Sequence, residues 1–165
     1  LWLSFLDLPP LNQGIITIGG EGVWLNNKPL TEQTRNNFRS ACVSLCRRSI
    51  RVLQRRADQP FPGKIRLLGV ASLNMTSVAL GQTIAALEAT PKIWDLAAAW
   101  LSLSELECSM KWLNLDPAQL KEGQDLTSVS FPLLTAGSSN DLNKLLPWGE
   151  ILINSWNNIQ DNINQ

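Results

Sequence analysis

The sequence predicts an α/β fold in which a mixed sheet is flanked by helices. Three observations lead there. Short β-branched or apolar runs alternate with stretches of helical periodicity along most of the chain. Gly and Pro punctuate almost every junction between them. Finally, 44% of the 165 residues are apolar and 17% are charged, an ordinary balance for a chain that buries one core.

The elements follow in order. Residues 1–6 read as a buried strand, and Pro9-Pro10 with Asn12-Gln13-Gly14 mark a loop. Residues 15–18 and 23–25 are short strands, with Asn26-Asn27 as a turn pair before Lys28-Pro29-Leu30, so this part reads as a hairpin or meander. Residues 41–46 suit a buried strand. Residues 49–57 carry a helical pattern with Ile50, Leu53 and Ala57 on one side, closed by Pro60, Pro62 and Gly63.

A strand over 64–68 ends at Gly69. A helix over 71–80 is stopped by Gly81. Residues 83–87 form a strand, and Pro91 opens a long Ala- and Leu-rich helix over roughly 94–107. Strands over 110–113 and 131–136 flank a polar loop containing Asp116-Pro117 and Gly123. The tail from Asn140 is partly helical, and residues 156–165, rich in Asn and Gln, fray. No internal repeat or long linker is visible.

Composition excludes several function classes. Histidine is absent, which removes Ser-His and Cys-His catalysis and His-ligated zinc. Chemistry would have to rest on carboxylates, hydroxyls or a hard metal ion. Fourteen basic residues balance fourteen acidic ones, so no global field favours nucleic acid or a membrane surface. No apolar stretch reaches the length of a membrane span. Cys42, Cys46 and Cys108 lack metal-type spacing and read as reduced, mostly buried thiols of a cytoplasmic protein. The chain opens at Leu1 inside an apolar run with no basic leader, which suggests a fragment continuing upstream.

Two constellations compete for function. Arg47, Arg48, Arg51, Arg55 and Arg56, with Arg35 and Arg39 nearby, would suit a phosphate-rich ligand, but with zero net charge and no nucleic-acid motif they read as a solvated helix face. The seven tryptophans sit mostly in apolar runs and read as core or interface. The richer segment is Pro91-Lys92-Ile93-Trp94-Asp95-Leu96-Ala97-Ala98-Ala99. An acid in the first turn of an apolar helix is either a cap that complements the helix dipole or a ligand to Mg²⁺. Read alone, Glu88 is a solvated strand end and Gly69 permits a tight strand-to-helix turn.

Taken together these segments resemble the inositol monophosphatase superfamily of magnesium-dependent phosphatases. Trp94-Asp95 with its small residues looks like the family's second signature. Gly69-Val70-Ala71 stands where the family has Gly-Ser/Thr-Ala, Arg66 where it often has arginine, Glu88 seven residues before Asp95 where inositol-specific members place a glutamate, and Glu105 at the glutamate of Glu-Ala-Gly-Gly. The segment from Gly20 to Leu30 looks like its Gly-x-Gly-Ala-Phe-x-Asn-Gly-x-Pro-Leu hairpin. The resemblance spans roughly residues 14–137.

The resemblance implies the carboxy-terminal part of an αβαβα phosphatase sandwich. Residues 1–40 would be a strand and hairpin remnant of the amino-terminal domain, and residues 41–165 the carboxy-terminal α/β domain. It implies Mg²⁺ as cofactor with Asp95 as a ligand, and Gly69, Val70, Ala71 and Glu88 as contacts to a small phosphorylated substrate such as an inositol or sugar phosphate. A bisphosphate nucleotidase or fructose bisphosphatase relative is the neighbouring enzyme reading. A non-catalytic module on the same scaffold is the reading from another class. A homodimer is implied as well. The family's Glu-Glu pair and Asp-Pro-x-Asp-Gly-Thr signature are absent, Val70 replaces a hydroxyl residue, and Leu106-Glu107-Cys108 replaces Ala-Gly-Gly. The chain therefore carries no assignable catalytic residue, and by itself it is expected to bind Mg²⁺ weakly and to be inactive.

Overall fold

A computed structural model describes residues 1–31, 34–35 and 41–163, with side chains through residue 154. Two sheets form. The first is an antiparallel meander of β1 (Leu3–Leu8), β2 (Gln13–Ile18), β3 (Gly22–Leu25) and β4 (Lys28–Pro29) in that spatial order. Its β3–β4 turn is Asn26-Asn27, both at positive φ (49° and 63°), the backbone that a two-residue hairpin requires. Asn26 secures the bend from its side chain: Oδ1 accepts from Gly14 N at 2.7 Å and Nδ2 donates to Asn12 O at 2.9 Å.

The second sheet contains β5 (Cys42–Leu45), β6 (Lys64–Arg66), β7 (Ala85–Glu88), β8 (Ser109–Trp112) and β9 (Leu133–Ala136), in the order β6-β5-β7-β9-β8. β6, β5 and β7 run parallel, while β9 and β8 are antiparallel to their neighbours. Helices α1 (Arg51–Arg55), α2 (Ala71–Ala79) and α3 (Ile93–Glu105) follow β5, β6 and β7 in turn, and α4 (Ser139–Ile163) closes the chain. The mixed sheet between helices is the architecture the sequence predicts.

Packing produces four layers. α1 and α4 cover one face of the second sheet, where Val52, Leu145, Trp148 and Leu152 meet Val43, Leu45, Leu87 and Leu134. α2 and α3 cover its other face through Met75, Val78, Leu96, Ala99 and Leu103. The first sheet lies on the far side of α2 and α3, with Ile15, Val23 and Leu30 packed on Leu80. Gly81, at φ 72°, stops α2; a Cβ there would come within 2.3 Å of Arg35 O, so only glycine fits.

Several expectations need correction. The first strand is Leu3–Leu8, and its outer face is exposed rather than buried: Leu3 and Phe5 are 53% and 63% accessible, alternating with buried Ser4. Opposite them in register lie Ile18 and Ile16, so one face of the first sheet is apolar and uncovered. The helix expected over 49–57 is a short turn, Arg51–Arg55. The longest helix is α4, 25 residues with Pro147 inside it, rather than α3 with 13. Trp148 is buried and Trp100 stacks edge-on with Trp112 at 5.4 Å, but Trp2 and Trp94 are exposed. The expected fraying at 156–165 falls on residues whose side chains lie outside the described ones, and the backbone is helical through Ile163.

The arginines divide. Arg47, Arg48, Arg51 and Arg55 are exposed, as a solvated face requires. Arg56 lies 5.5 Å over the Trp148 ring. Arg35 donates to Leu106 O and Gly137 O, both at 2.6 Å, and so ties α3 to β9. Arg39 lies outside the described residues. Cys46 and Cys108 are free thiols, and Cys42 forms no disulfide among the described residues. Among the described residues no helix is long and apolar enough to cross a membrane.

The join between the first sheet and α3 is polar as well as apolar: Thr17 Oγ1 and Ser102 Oγ meet at 2.7 Å, fully buried. Thr17→Val strands the Ser102 hydroxyl, which then keeps only a 3.4 Å contact to Ala98 O. The expected loss is about 1–3 kcal/mol. Thr17→Val combined with Ser102→Ala removes both partners and regains most of it. Urea denaturation of the single and double variants checks this.

Candidate functional site

The parallel strands β5, β6 and β7 end on one edge of the second sheet. β5 connects to β6 on one side of itself, and the next crossover returns to β7 on the other. Their helices lie on opposite faces, so the edge holds a switch point of the kind where open α/β sheets place ligands. Every sequence-predicted site residue lies at or just beyond a carboxyl end on this edge.

After β6 the chain turns at Gly69 with φ 82°. Residues with side chains rarely adopt that conformation, and a Cβ placed there would meet nothing within 4 Å. Glycine is therefore required for the backbone angle, and the space before it is open. Val70 caps α2 in extended conformation with no side-chain cap, and is 53% exposed. The first-turn amides of residues 71–73 therefore have no side-chain cap. Arg66 is exposed and donates only to the carbonyl of its neighbour Ile65, so it joins no ion pair among the described residues.

Glu88 ends β7 and is 3% exposed, so it is not a solvated strand end. Asn74 Nδ2, on the first turn of α2, donates to Glu88 Oε1 at 2.5 Å. Burial pushes the Glu88 carboxyl up to about 7; hydrogen bonds from Asn74 and Cys46 draw it back, and the charge of Asp95 pushes it further. Two acids and two donors from four elements therefore meet here.

Asp95 sits in the first turn of α3. Its Oδ2 accepts from Lys92 N at 2.8 Å, while Asp95 N donates to Lys92 O at 3.0 Å. The capping reading is thus realised through one oxygen, and the second oxygen is the one a ligand role would use.

The strand ends are braced from behind. Ser49 Oγ donates to Leu87 O at 2.6 Å, and Cys46 Sγ lies 2.9 Å from Ser49 Oγ and accepts from Ala89 N at 3.4 Å. Sequence reasoning missed Asn74, Cys46 and Ser49. For Asn74 a signal existed: an amide amid the apolar run of a helix that must be buried. Glu105, matched on sequence to a family motif, is placed at the other end of α3, where Oε1 accepts from Gly20 N at 2.9 Å and anchors the β2–β3 turn. A polar cavity of about 360 Å³ lined by Arg35, Glu105 and Glu107 lies at that far end, away from Asp95.

The family model for the inositol monophosphatase family matches residues 2–131. Among solved structures, an IMPase/NADP phosphatase complexed with NADP and Ca²⁺ superposes with TM-score 0.63 at 25% identity, covering 87% of this chain and 55% of its own. An inositol monophosphatase family protein from Staphylococcus aureus gives TM-score 0.62 at 25% identity, with 87% and 55% covered. A protein from Pyrococcus horikoshii with similarities to inositol-1 monophosphatase gives 0.66 at 17% identity, covering 88% and 56%, and bears on the fold alone. The chain thus spans about half the length of the solved structures it matches. No curated protein matches it significantly.

The raised Glu88 pKa sets a pH dependence. Folded Glu88 holds its proton to about pH 7, whereas the unfolded chain releases it near the ordinary value of 4.5. The native state therefore binds more protons in that window, and stability falls as pH rises through it. Full deprotonation costs on the order of 3 kcal/mol. Glu88→Gln is expected to remove this slope and to stabilise the protein at pH 8 relative to wild type. Urea midpoints at pH 5 and pH 8 test it, and a wild-type midpoint that rises between those pH values contradicts the assignment.

Proposed function

Because this chain belongs to the inositol monophosphatase family, we propose that it is the carboxy-terminal portion of a magnesium-dependent phosphatase hydrolysing a small phosphate monoester, an inositol or sugar phosphate. The observation that carries the reading is the meeting of α2's first turn, buried Glu88 and the Asp95 turn at one sheet edge. In this reading the amides behind Gly69, at Val70 and Ala71, receive a substrate oxygen, as an uncapped helix start favours. Glu88 accepts a hydrogen bond from a substrate hydroxyl. Asp95 offers its second oxygen to Mg²⁺. Related structures solved with D-inositol-1-phosphate, and with Mg²⁺ and phosphate, support the substrate class and the ion.

The residues present do not complete a metal site. Among the described residues no three His, Cys, Asp or Glu side chains lie together as a metal cluster. Asp95 has one oxygen committed to Lys92 N. No step of hydrolysis follows from this chain, and in the proposal the remaining ligands come from polypeptide outside this sequence. A homodimer and a cytoplasmic location belong to the same proposal, supported by the exposed apolar Leu1, Trp2, Leu3 and Phe5 and by the free thiols of Cys46 and Cys108. The lack of an acidic cluster among the described residues favours one second reading, a non-catalytic module on the phosphatase scaffold.

The chain alone is expected to release no phosphate from inositol 1-phosphate at saturating Mg²⁺; robust turnover refutes the view that essential ligands lie elsewhere. In a longer protein that supplies those ligands, Asp95→Asn is expected to lower turnover by orders of magnitude. Asn caps helices about as well as Asp, so stability should drop by only about 0.3–1 kcal/mol. Normal turnover in that variant leaves Asp95 as a helix cap and favours the module.

A further inference from the structure

We infer that Asn74 is a positioning residue for substrate recognition: its side-chain amide fixes the Glu88 carboxyl so that the second carboxyl oxygen is presented to a hydroxyl of a polyol phosphate at the strand ends. The inference rests on the reading of Glu88 as a hydroxyl acceptor and names the residue that makes it one.

Asn74 is fully buried, in a helix whose neighbouring Met75, Val78 and Ala79 form core. An amide there is costly unless satisfied. Its Nδ2 bonds Glu88 Oε1, yet its Oδ1 has no partner. The pair is thus incompletely compensated, and apolar residues of the same shape would serve packing better. What the amide supplies is orientation. Glu88 faces the negative charge of Asp95, and Asn74 is the strong neutral donor that, with the weaker thiol donor of Cys46, opposes it. The same residue also closes the helix start: Asn74 N donates to Val70 O at 3.0 Å. One residue therefore holds both the acid and the turn carrying Gly69, Val70 and Ala71, and fixes their separation.

The test uses the full ¹⁵N-labelled chain titrated with inositol 1-phosphate in the presence of Mg²⁺ and followed by NMR. Wild type is expected to shift at residues 69–71 and at Glu88. Asn74→Leu keeps the shape and removes the donor; it is expected to weaken binding by about three- to tenfold, the usual size for a hydrogen bond. Because Asn74 acts through Glu88, the double variant Asn74→Leu/Glu88→Ala should bind no more weakly than Glu88→Ala alone. A purely structural role would lower the melting temperature of Asn74→Leu and leave the affinity of the folded protein unchanged, and that result overturns the inference, as does an additive double variant. Absence of any wild-type binding defeats the reading of Glu88 itself and the inference with it, whereas wild-type binding unaffected by Asn74→Leu defeats only the inference. If Asn74→Leu fails to fold, the Asn74 side-chain amide resonances of wild type decide: they should move on ligand addition, and unmoved resonances reject the role.

Discussion

Helix α3 packs against two sheets at once, and that double burial governs what the rest of the chain can do. One stripe of it, Leu96, Ala99 and Leu103, enters the core on the second sheet. Another, at positions 98, 102 and 105, meets the first sheet through Ser4 Oγ to Ala98 O at 3.1 Å, the Thr17–Ser102 pair and Gly20 N to Glu105. Spacings of four and three residues keep those three positions on one face. Small side chains at Ala97, Ala98 and Ala99 let both sheets approach the helix closely. A helix fixed from two sides cannot rotate or slide, so the direction in which Asp95 leaves its first turn is set by packing along the whole helix.

The strand ends carry the opposite energetic sign. Ser49, Glu88 and Asn74 are buried polar groups gathered where the sheet could have been sealed with aliphatic side chains. Ser49 satisfies the Leu87 carbonyl, but Glu88 keeps its proton up to about pH 7 because burial opposes its charge, and Asn74 Oδ1 is left without a partner. A fold selected for stability alone would not retain this arrangement, and perturbed carboxyls in such positions are a mark of sites. The neighbouring structural acid behaves differently: Glu105 sits half-buried at the other end of α3 and serves a backbone amide.

Much of this was legible in the sequence, and the failures have physical causes. The meander, the stop of α2 at Gly81 and the start of α3 near Pro91 were readable because glycine, asparagine and proline act on the backbone locally. The exposure of Leu3 and Phe5 was not readable, because an apolar alternation reports a potential face and not whether a layer covers it. The tail from Asn140 was expected to be only partly helical, whereas the helix runs on with Pro147 inside it. In the fold Gly149 instead admits the Leu113 side chain, 3.0 Å from where its Cβ would stand, and the surrounding Leu145, Trp148 and Leu152 hold the helix in register. The positions of Gly69, Glu88 and Asp95 came from the resemblance to the family's motifs, whereas Asn74, Cys46 and Ser49 depend on which strand ends become neighbours, and sequence separation conceals that.

The first sheet contributes no residue to the strand-end cluster, yet the cluster depends on it. Its contacts fall on the last two turns of α3, at Ala98, Ser102 and Glu105, and on the end of α2 through Leu80. Both helices are therefore clamped at their carboxyl halves by the first sheet, while along their length they lie on the second. Their amino-terminal turns are the parts left uncovered: Val70 and Trp94 are 53% and 60% exposed, whereas Leu80 and Leu103 are buried. Two helices held at one end and open at the other bring two helix starts, with their partial positive charge, beside a buried carboxyl. Residues 1–30 thus shape the open edge by immobilising its far side, which is why a meander remote from Asp95 in sequence bears on the geometry of that edge.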